Sequence, residues 1–300
     1  MIFKYISLLL SGLLLYCFGL YSGTYKLFPY NEVRNLRGIL SLQLHTSINS
    51  LRVSEDLDKF QVCRIPEIKK IPFGSTAFIG HAYGSPAMAT TEGFLSENVS
   101  RFLNENKINL SSVVFTGDVF SFPSKKKWDN LHEKFPQMKI HIAPGNHDIW
   151  RPDSKEAFEN SKIYSDEFPY LINNIIPIIV DDSVISMGPI TNLTQEKINS
   201  FPSRNLIVAR HHVPIIELIT LANSNAGFEN LPKFSEFQKK FETDGNITWI
   251  IGDSGAHQKL PRIFCARSKN HTFITNGVGG LTGDRIIILN KGMIFQFLLD

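Results

Sequence analysis

Ala143-Pro-Gly-Asn-His-Asp148 is the stretch on which the reading of this chain turns. It follows a short apolar strand, Lys139-Ile-His-Ile142, which breaks at Pro144-Gly145 into a loop carrying an amide, an imidazole and a carboxylate in consecutive positions. An Asn side-chain oxygen can ligate a divalent metal, the adjacent His can donate a proton, and the Asp can orient that His. Taken alone, Gly-Asn-His-Asp is also an ordinary polar turn. Its company points to chemistry. Ser112-Val-Val-Phe-Thr116 ends in Gly117-Asp118, Leu206-Ile-Val-Ala209 ends in Arg210-His211-His212, and Ile247-Thr-Trp-Ile-Ile251 ends in Gly252-Asp253. Four apolar strands each deliver a metal-capable residue at the C-terminal end, the edge at which ligand sites of α/β folds form.

In order and spacing these motifs resemble the calcineurin-like metallophosphoesterase superfamily, whose pattern runs Asp-x-His, Gly-Asp, Gly-Asn-His-Asp/Glu, His, Gly-His-x-His. Gly117-Asp118, Gly145-Asn-His-Asp148 and His211-His212-Val-Pro214 match directly. Ile79-Gly-His-Ala-Tyr-Gly84 falls where Asp-x-His is expected, and Gly252-Asp-Ser-Gly-Ala256 where Gly-His-x-His is expected, so both end motifs are altered. The resemblance spans roughly residues 76–300. It implies two facing β-sheets flanked by helices, an α/β sandwich, and one or two divalent ions of Mn, Fe or Zn.

Carried over residue by residue, the resemblance makes Asp118 the carboxylate that bridges two metals, joined on one of them by Asn146 and His211. Asp253 stands where a His of that metal normally sits; aspartate is a competent hard ligand, so one site is complete. For the other metal, His81 occupies the position of the first Asp, Tyr83 that of the first His, and Gly255 that of the last His, with His257 two residues beyond as a substitute donor. His147 is the candidate proton donor to the leaving oxygen, and Asp148 the partner hydrogen-bonded to it. His212 follows a ligand and either supports it or packs. The expected activity is hydrolysis of a phosphate ester by metal-activated water. The competing readings are a non-catalytic binding or scaffold protein that keeps the fold with an incomplete metal site, and a hydrolase of a non-phosphate ester using one metal. The substrate is a phosphorylated compound whose identity is open, with lipid-linked or cell-envelope phosphates suggested by the N-terminal segment alone.

That segment is the second feature of the chain. Ile6 to Leu20 are almost wholly apolar, between Lys4 and Lys26, near the lower length limit of a spanning helix. We read residues 1–22 as an uncleaved single-pass anchor, 23–75 as a linker and packing segment, and 76–300 as the phosphoesterase domain. A cleaved signal peptide is the alternative. The expected location is membrane-anchored, with the catalytic domain periplasmic or otherwise extracytoplasmic. Cys17 lies within the apolar run, leaving Cys63 and Cys265 either as one pair or as two buried free thiols, the more ordinary state. Three hundred residues with 43% hydrophobic content bury a substantial core, and a net charge of +3 is too small to imply a nucleic-acid partner.

Between the motifs, apolar spacing predicts a helix holding Phe94, Leu95, Phe102 and Leu103, capped by Thr90 or Thr91. It predicts another over Lys125–Phe135, and a third from Thr194 capped by Asn192 or Thr194. The stretch leading to Pro169 reads as irregular, 177–180 and 184–187 as strands, and 215–245 as a mobile loop. Strands return at 272–275, 285–289 and 293–298. Lys125-Lys-Lys127 reads as a solvated first helical turn, and Asn276-Gly-Val-Gly-Gly280 as a flexible turn or a weak phosphate cradle.

Overall fold

The computed structural model describes residues 16, 57–84, 93–149, 151–165, 168–172, 174–181, 190–221, 231–253, 263–279 and 283–299. Apart from Tyr16, the apolar run 6–20 lies outside them, as do the expected caps Thr90 and Thr91, the strand at 184–187, and His257. Among the described residues no helix is long and apolar enough to cross a membrane. Residues Asn49–Asp300 form one compact unit.

Thirteen strands make two sheets among the described residues. In chain order they are β1 (Gln61–Val62), β2 (Glu67–Ile68), β3 (Ser75–Ile79), β4 (Leu110–Phe115), β5 (Lys139–Ile142), β6 (Tyr170–Ile172), β7 (Ile178–Val180), β8 (Leu206–Arg210), β9 (Ile247–Ile251), β10 (Ile263–Ser268), β11 (His271–Asn276), β12 (Arg285–Asn290) and β13 (Met293–Leu298). One sheet runs β1-β10-β11-β9-β8-β7-β6 and the other β2-β13-β12-β3-β4-β5. The helices are α1 (Glu97–Glu105), α2 (Lys125–Lys134), α3 (Asn146–Ile149), α4 (Pro152–Glu159), α5 (Asn192–Asn199), α6 (Ile216–Leu221) and α7 (Phe234–Gln238).

The strands that are near-continuous hydrophobic runs are those covered on both faces, as a parallel sheet requires. Phe78 and Val114 from one sheet and Ile207, Ala209, Ile250 and Ile274 from the other fill the layer between the sheets. The outer face of the first-described sheet packs Trp249, Val208 and Phe273 against Ile198 of α5, Leu218 of α6 and Phe234 and Phe237 of α7. The other sheet packs Ala77, Val113 and Phe115 against Val99, Phe102 and Leu103 of α1, Trp128 and Leu131 of α2, and Phe158 of α4. The result is four layers, helix, sheet, sheet, helix, in which β3, β4, β8 and β9 are buried almost throughout and β5 only at Ile142, the residue that leads into the motif.

The helix starts differ from expectation. α1 begins after Ser96, whose hydroxyl accepts from Val99 N, so Phe94 and Leu95 pack ahead of the helix rather than within it. α2 is capped by Ser124 and α5 by Thr191, whose hydroxyls accept from Lys127 N and Thr194 N. The stretch expected to be irregular contains α4, started by Pro152 at its first turn, and the expected loop 215–245 holds α6 and α7. Cys63 and Cys265 are joined in a disulfide rather than left as thiols; the bond staples the edge strand β1 to β10, reinforced by Cys63 N donating to Cys265 O at 2.9 Å.

Candidate metal centre

β3, β4 and β5 run parallel to one another, as do β7, β8, β9 and β11, and the two groups end at the same edge of the sandwich. Backbone hydrogen bonds lace these ends together. His81 N donates to Gly117 O (3.0 Å), Ala143 N to Phe115 O (2.8 Å), Gly252 N to Arg210 O (3.0 Å) and Asp253 N to His211 O (2.9 Å). The chain turns sharply where function requires it. Gly117 has φ 90° and Asp118 φ 55°, while His81, just past β3, has φ 51°. Two non-glycine residues in the left-handed region within one site mark backbone held against its preference by the surrounding structure. A Cβ at Gly117 would enter the His211 ring, and one at Gly145 would collide with the Asp118 carboxylate, so both glycines exist to let these side chains in.

The four tips converge. His211 Nε2 lies 3.4 Å from Asp118 Oδ1, 3.2 Å from Asn146 Oδ1 and 3.9 Å from Asp253 Oδ1. His81 Nε2 lies 3.6 Å from Asp118 Oδ2 and 3.7 Å from Asp253 Oδ1. One ligand atom each from His81, His211 and Asp253 fall within 4.8 Å of one another. His81 thus joins His211 in facing the carboxylates of Asp118 and Asp253. Tyr83 is buried beside it, its ring 5.7 Å from those of His81 and His147.

Two features fit a divalent cation. His211 Nδ1 lies 2.9 Å from Thr116 O, which can only accept; the ring proton therefore sits on Nδ1, and the Nε2 lone pair points at acceptor oxygens. His81 is 4% exposed, and neither of its ring nitrogens has a hydrogen-bond partner among the described residues, although two carboxylates stand just beyond reach. Imidazole nitrogens, carboxylates and an amide oxygen at this spacing suit a divalent cation.

The charges respond accordingly. Burial drives the His211 imidazole down to about 4, outweighing Asp118, so it is neutral and able to ligate. Burial also pulls at His81, but Asp118 and Asp253 overcome it and hold its pKa above the ordinary value. Burial would raise both carboxylates, yet His211, His147 and His81 hold Asp118 below the usual range, and His212 and His81 hold Asp253 well below it.

Asp148 corrects the expected pairing with His147. Its Oδ1 accepts from Val119 N (3.0 Å) and Phe120 N (3.3 Å), and its Oδ2 from Gly145 N (2.9 Å). It sits in the turn of α3 and reaches back toward free backbone N–H groups, which a carboxylate satisfies better than a ring nitrogen could. Asp148 therefore ties the loop after β4 to the loop after β5. Burial and the nearby Asp118 charge push its pKa up to about 7. His147 instead meets Asp118: its backbone N–H donates to Oδ1 at 2.9 Å, and its Nε2 stands 4.0 Å from Oδ2, with the side chain 31% exposed.

Sequence reading missed three contributors. Thr116 orients His211 through its carbonyl, which leaves no side-chain trace. Asp181 and Arg210, both fully buried, meet at 3.2 Å (Oδ2 to Nη1) directly beside His211, and Thr194 Oγ1 donates to Asp181 Oδ1 at 2.6 Å. Asp181 did carry a signal, a carboxylate following the apolar strand β7, the same pattern that singled out Asp118.

The class that fold and site define is an α/β sandwich of two sheets with a His- and Asp-rich cluster at the strand ends, able to hold a divalent metal. The family model for calcineurin-like phosphoesterases matches residues 92–258, more than half of the chain, and the chain belongs to that family. The matched region contains Asp118, Asn146, His147, His211 and Asp253, and begins after His81 and Tyr83. No curated protein matches the chain.

Proposed function

We propose that the chain hydrolyses a phosphate ester, mono- or diester, at a divalent metal held by His81, Asp118, Asn146, His211 and Asp253. The observation that carries this is the convergence of two buried imidazoles on Asp118 and Asp253 at the common end of both sheets. When bound, the metal would neutralise phosphoryl oxygens and acidify a water. The chain's own residues do the rest. Thr116 O fixes the His211 tautomer, and His212 Nδ1–H donates to Asp253 Oδ2 at 3.3 Å, setting the carboxylate plane. His147, the partly exposed member of the group, can reach a substrate at the mouth and donate a proton to the leaving oxygen. Asp148 keeps His147 and Asp118 in register by bracing both loops.

A reading with a single cation gains support from His81, which stands where the family has an aspartate and points at the same spot as His211. Metal analysis of purified full-length protein tests both versions. One ion per chain favours the single-cation reading, two the dinuclear one, and none removes the proposal. Turnover of an aryl phosphate with added manganese or zinc should be abolished in Asp118→Asn; activity surviving that change removes the role of Asp118. A protein that binds metal but turns over no phosphate ester is the scaffold reading.

For location, we take the apolar run 6–20 as a single-pass anchor and the domain as exported. The Cys63–Cys265 disulfide supports an oxidising compartment.

A further inference from the structure

The end of the sandwich remote from the metal centre has its own character. Because the parallel strands of both sheets end at the site, their starts share the opposite edge. Four large apolar side chains stand exposed there: Phe73 (78%) before β3, Ile108 (73%) before β4, Ile175 (72%) between β6 and β7, and Met293 (57%) at the start of β13. Their segments are bound into one surface. Asn290 Nδ2 donates to Phe73 O at 3.1 Å, and Asn290 pairs with Met293 across the β12–β13 turn. Ser75 N donates to Asn109 O at 3.0 Å, bringing 108 beside 73. Asn174 Nδ2 donates to Thr76 Oγ1 at 3.3 Å, and Gly292 lies against the side chains of Ile175 and Ile176.

Four of the seven large apolar side chains exposed among the described residues stand at this one edge, the gathering that marks a docking surface, and the charges around them indicate its partner. Lys107, Lys139 and Lys291 are exposed beside Ile108, the start of β5 and Met293, with Glu105 at the end of α1 the nearby carboxylate on this sheet, while Glu242 and Asp244 are exposed ahead of β9 on the other. Cationic side chains around protruding Phe, Ile and Met side chains complement an anionic lipid surface. The chain path agrees. After the apolar run, the chain enters the domain through the turn at Leu57–Lys59 and then Gln61, paired with Arg267 beside the β10–β11 hairpin (Ser268–His271). That hairpin lies at the start of β11, hence also at the end away from the metal centre.

Resting on the proposed anchor, we infer that the Phe73–Ile108–Ile175–Met293 surface lies on an anionic membrane and turns the metal centre toward the aqueous side. Substrate then reaches the site from solution rather than from the bilayer beneath it.

The test places tryptophan at either end of the full-length chain on vesicles of phosphatidylcholine and phosphatidylglycerol containing bromine-labelled acyl chains. Phe73→Trp and, as an independent variant, Ile108→Trp report on the docking end. Leu193→Trp reports on the other end, because Leu193 is 56% exposed beside Thr194, which is bonded to Asp181 at the close of β7. The inference expects quenching of the first two at least twofold above the third, and a fall toward the third when Lys107, Lys139 and Lys291 are replaced by Glu. Equal quenching at both ends, or quenching indifferent to those lysines, overturns it. Full-length protein that fails to float with the vesicles overturns the anchor and the docking together. None of these readouts uses turnover, so the hydrolytic proposal stands or falls separately.

Discussion

Asp253 shows how a substitution within a family motif is accommodated by its neighbours. Its Oδ1 faces His81 and His211, and its Oδ2 accepts from His212. A carboxylate can rotate where an imidazole cannot, so the His212 hydrogen bond is what holds the other oxygen toward His81 and His211. Replacing His212 by Phe should weaken metal binding about 10–100-fold with little change in melting temperature, whereas His212→Asn, which keeps a donor, should recover part of the loss; titration in metal-buffered solution measures both. Asp148 has a different consequence. Asp148→Asn leaves at least one of three buried N–H groups short of an acceptor, at a cost of about 1–3 kcal/mol, read as a shift in the urea midpoint. The pair separates the two kinds of residue: His212 acts on metal affinity, Asp148 on stability and, through the loops, on turnover. The sequence showed both residues because each follows a recognisable motif, but not which neighbour each would serve. Asp148 looked like the partner of His147 by adjacency, yet in a helical turn a side chain turns away from the next residue and toward the backbone before it.

Strands were more legible than helix ends. Ser112–Thr116, 206–209 and 247–251 announce themselves as buried runs because both of their faces are covered, and their tips carry polar residues because the sheets end there. Helix starts are set by one hydroxyl in the right backbone geometry, and several Ser, Thr and Asn residues competed at each; Ser96 and Thr191 prevailed over neighbours that the apolar spacing made equally plausible. His81 illustrates what neither pattern encodes: it follows β3 in one sheet while Asp253 follows β9 in the other, and the two meet because the backbones of Gly80 and Gly252 pack directly against each other across the sandwich. β11 also carries an acid-sensitive group. The His271 ring lies nearly parallel to those of Trp249 and Phe273, with centroids 6.3 and 6.0 Å away, and its Nδ1 accepts from Trp249 Nε1 at 3.1 Å. Burial, with Lys269 adding to it, lowers its pKa from 6.5 to about 4. The unfolded chain takes up this proton below 6.5, the folded chain only near 4, so the stability it contributes is present above 6.5 and lost across that window as pH falls. Between pH 7 and pH 5 the loss is about 2 kcal/mol. His141, also lowered to about 4 by burial with Lys139, moves in the same direction. Urea unfolding of His271→Gln, which keeps an acceptor for Trp249, should show a shallower dependence on pH in this range; an unchanged slope would assign the acid sensitivity to other groups.

For the whole molecule, the segment before β3 matters more than its lack of motifs suggests. Strand β1 adds to the edge of one sheet and β2 to the edge of the other, so residues 61–68 clasp both layers of the sandwich. Phe60 packs with Phe234 and Phe273 under α7, with Phe60 and Phe234 ring centroids 5.1 Å apart. The Cys63–Cys265 bond closes this clasp across a sequence separation of 202 residues. Joining positions so far apart removes much of the freedom of the unfolded chain, and the loop-entropy argument places the upper bound at about 5 kcal/mol. Neither cysteine belongs to the metal centre, so a Cys63→Ser, Cys265→Ser double variant should lose about 2–5 kcal/mol of stability and melt earlier, while its metal content per chain stays that of the parent. The parent treated with reductant should fall to the same melting temperature, and reductant should leave the double variant unmoved. A parent whose melting is indifferent to reductant would mean that β1 is held by Phe60 and the backbone pairing alone. In that case the rim of the sandwich would be stable without an oxidising compartment, and the strongest structural support for export would be gone.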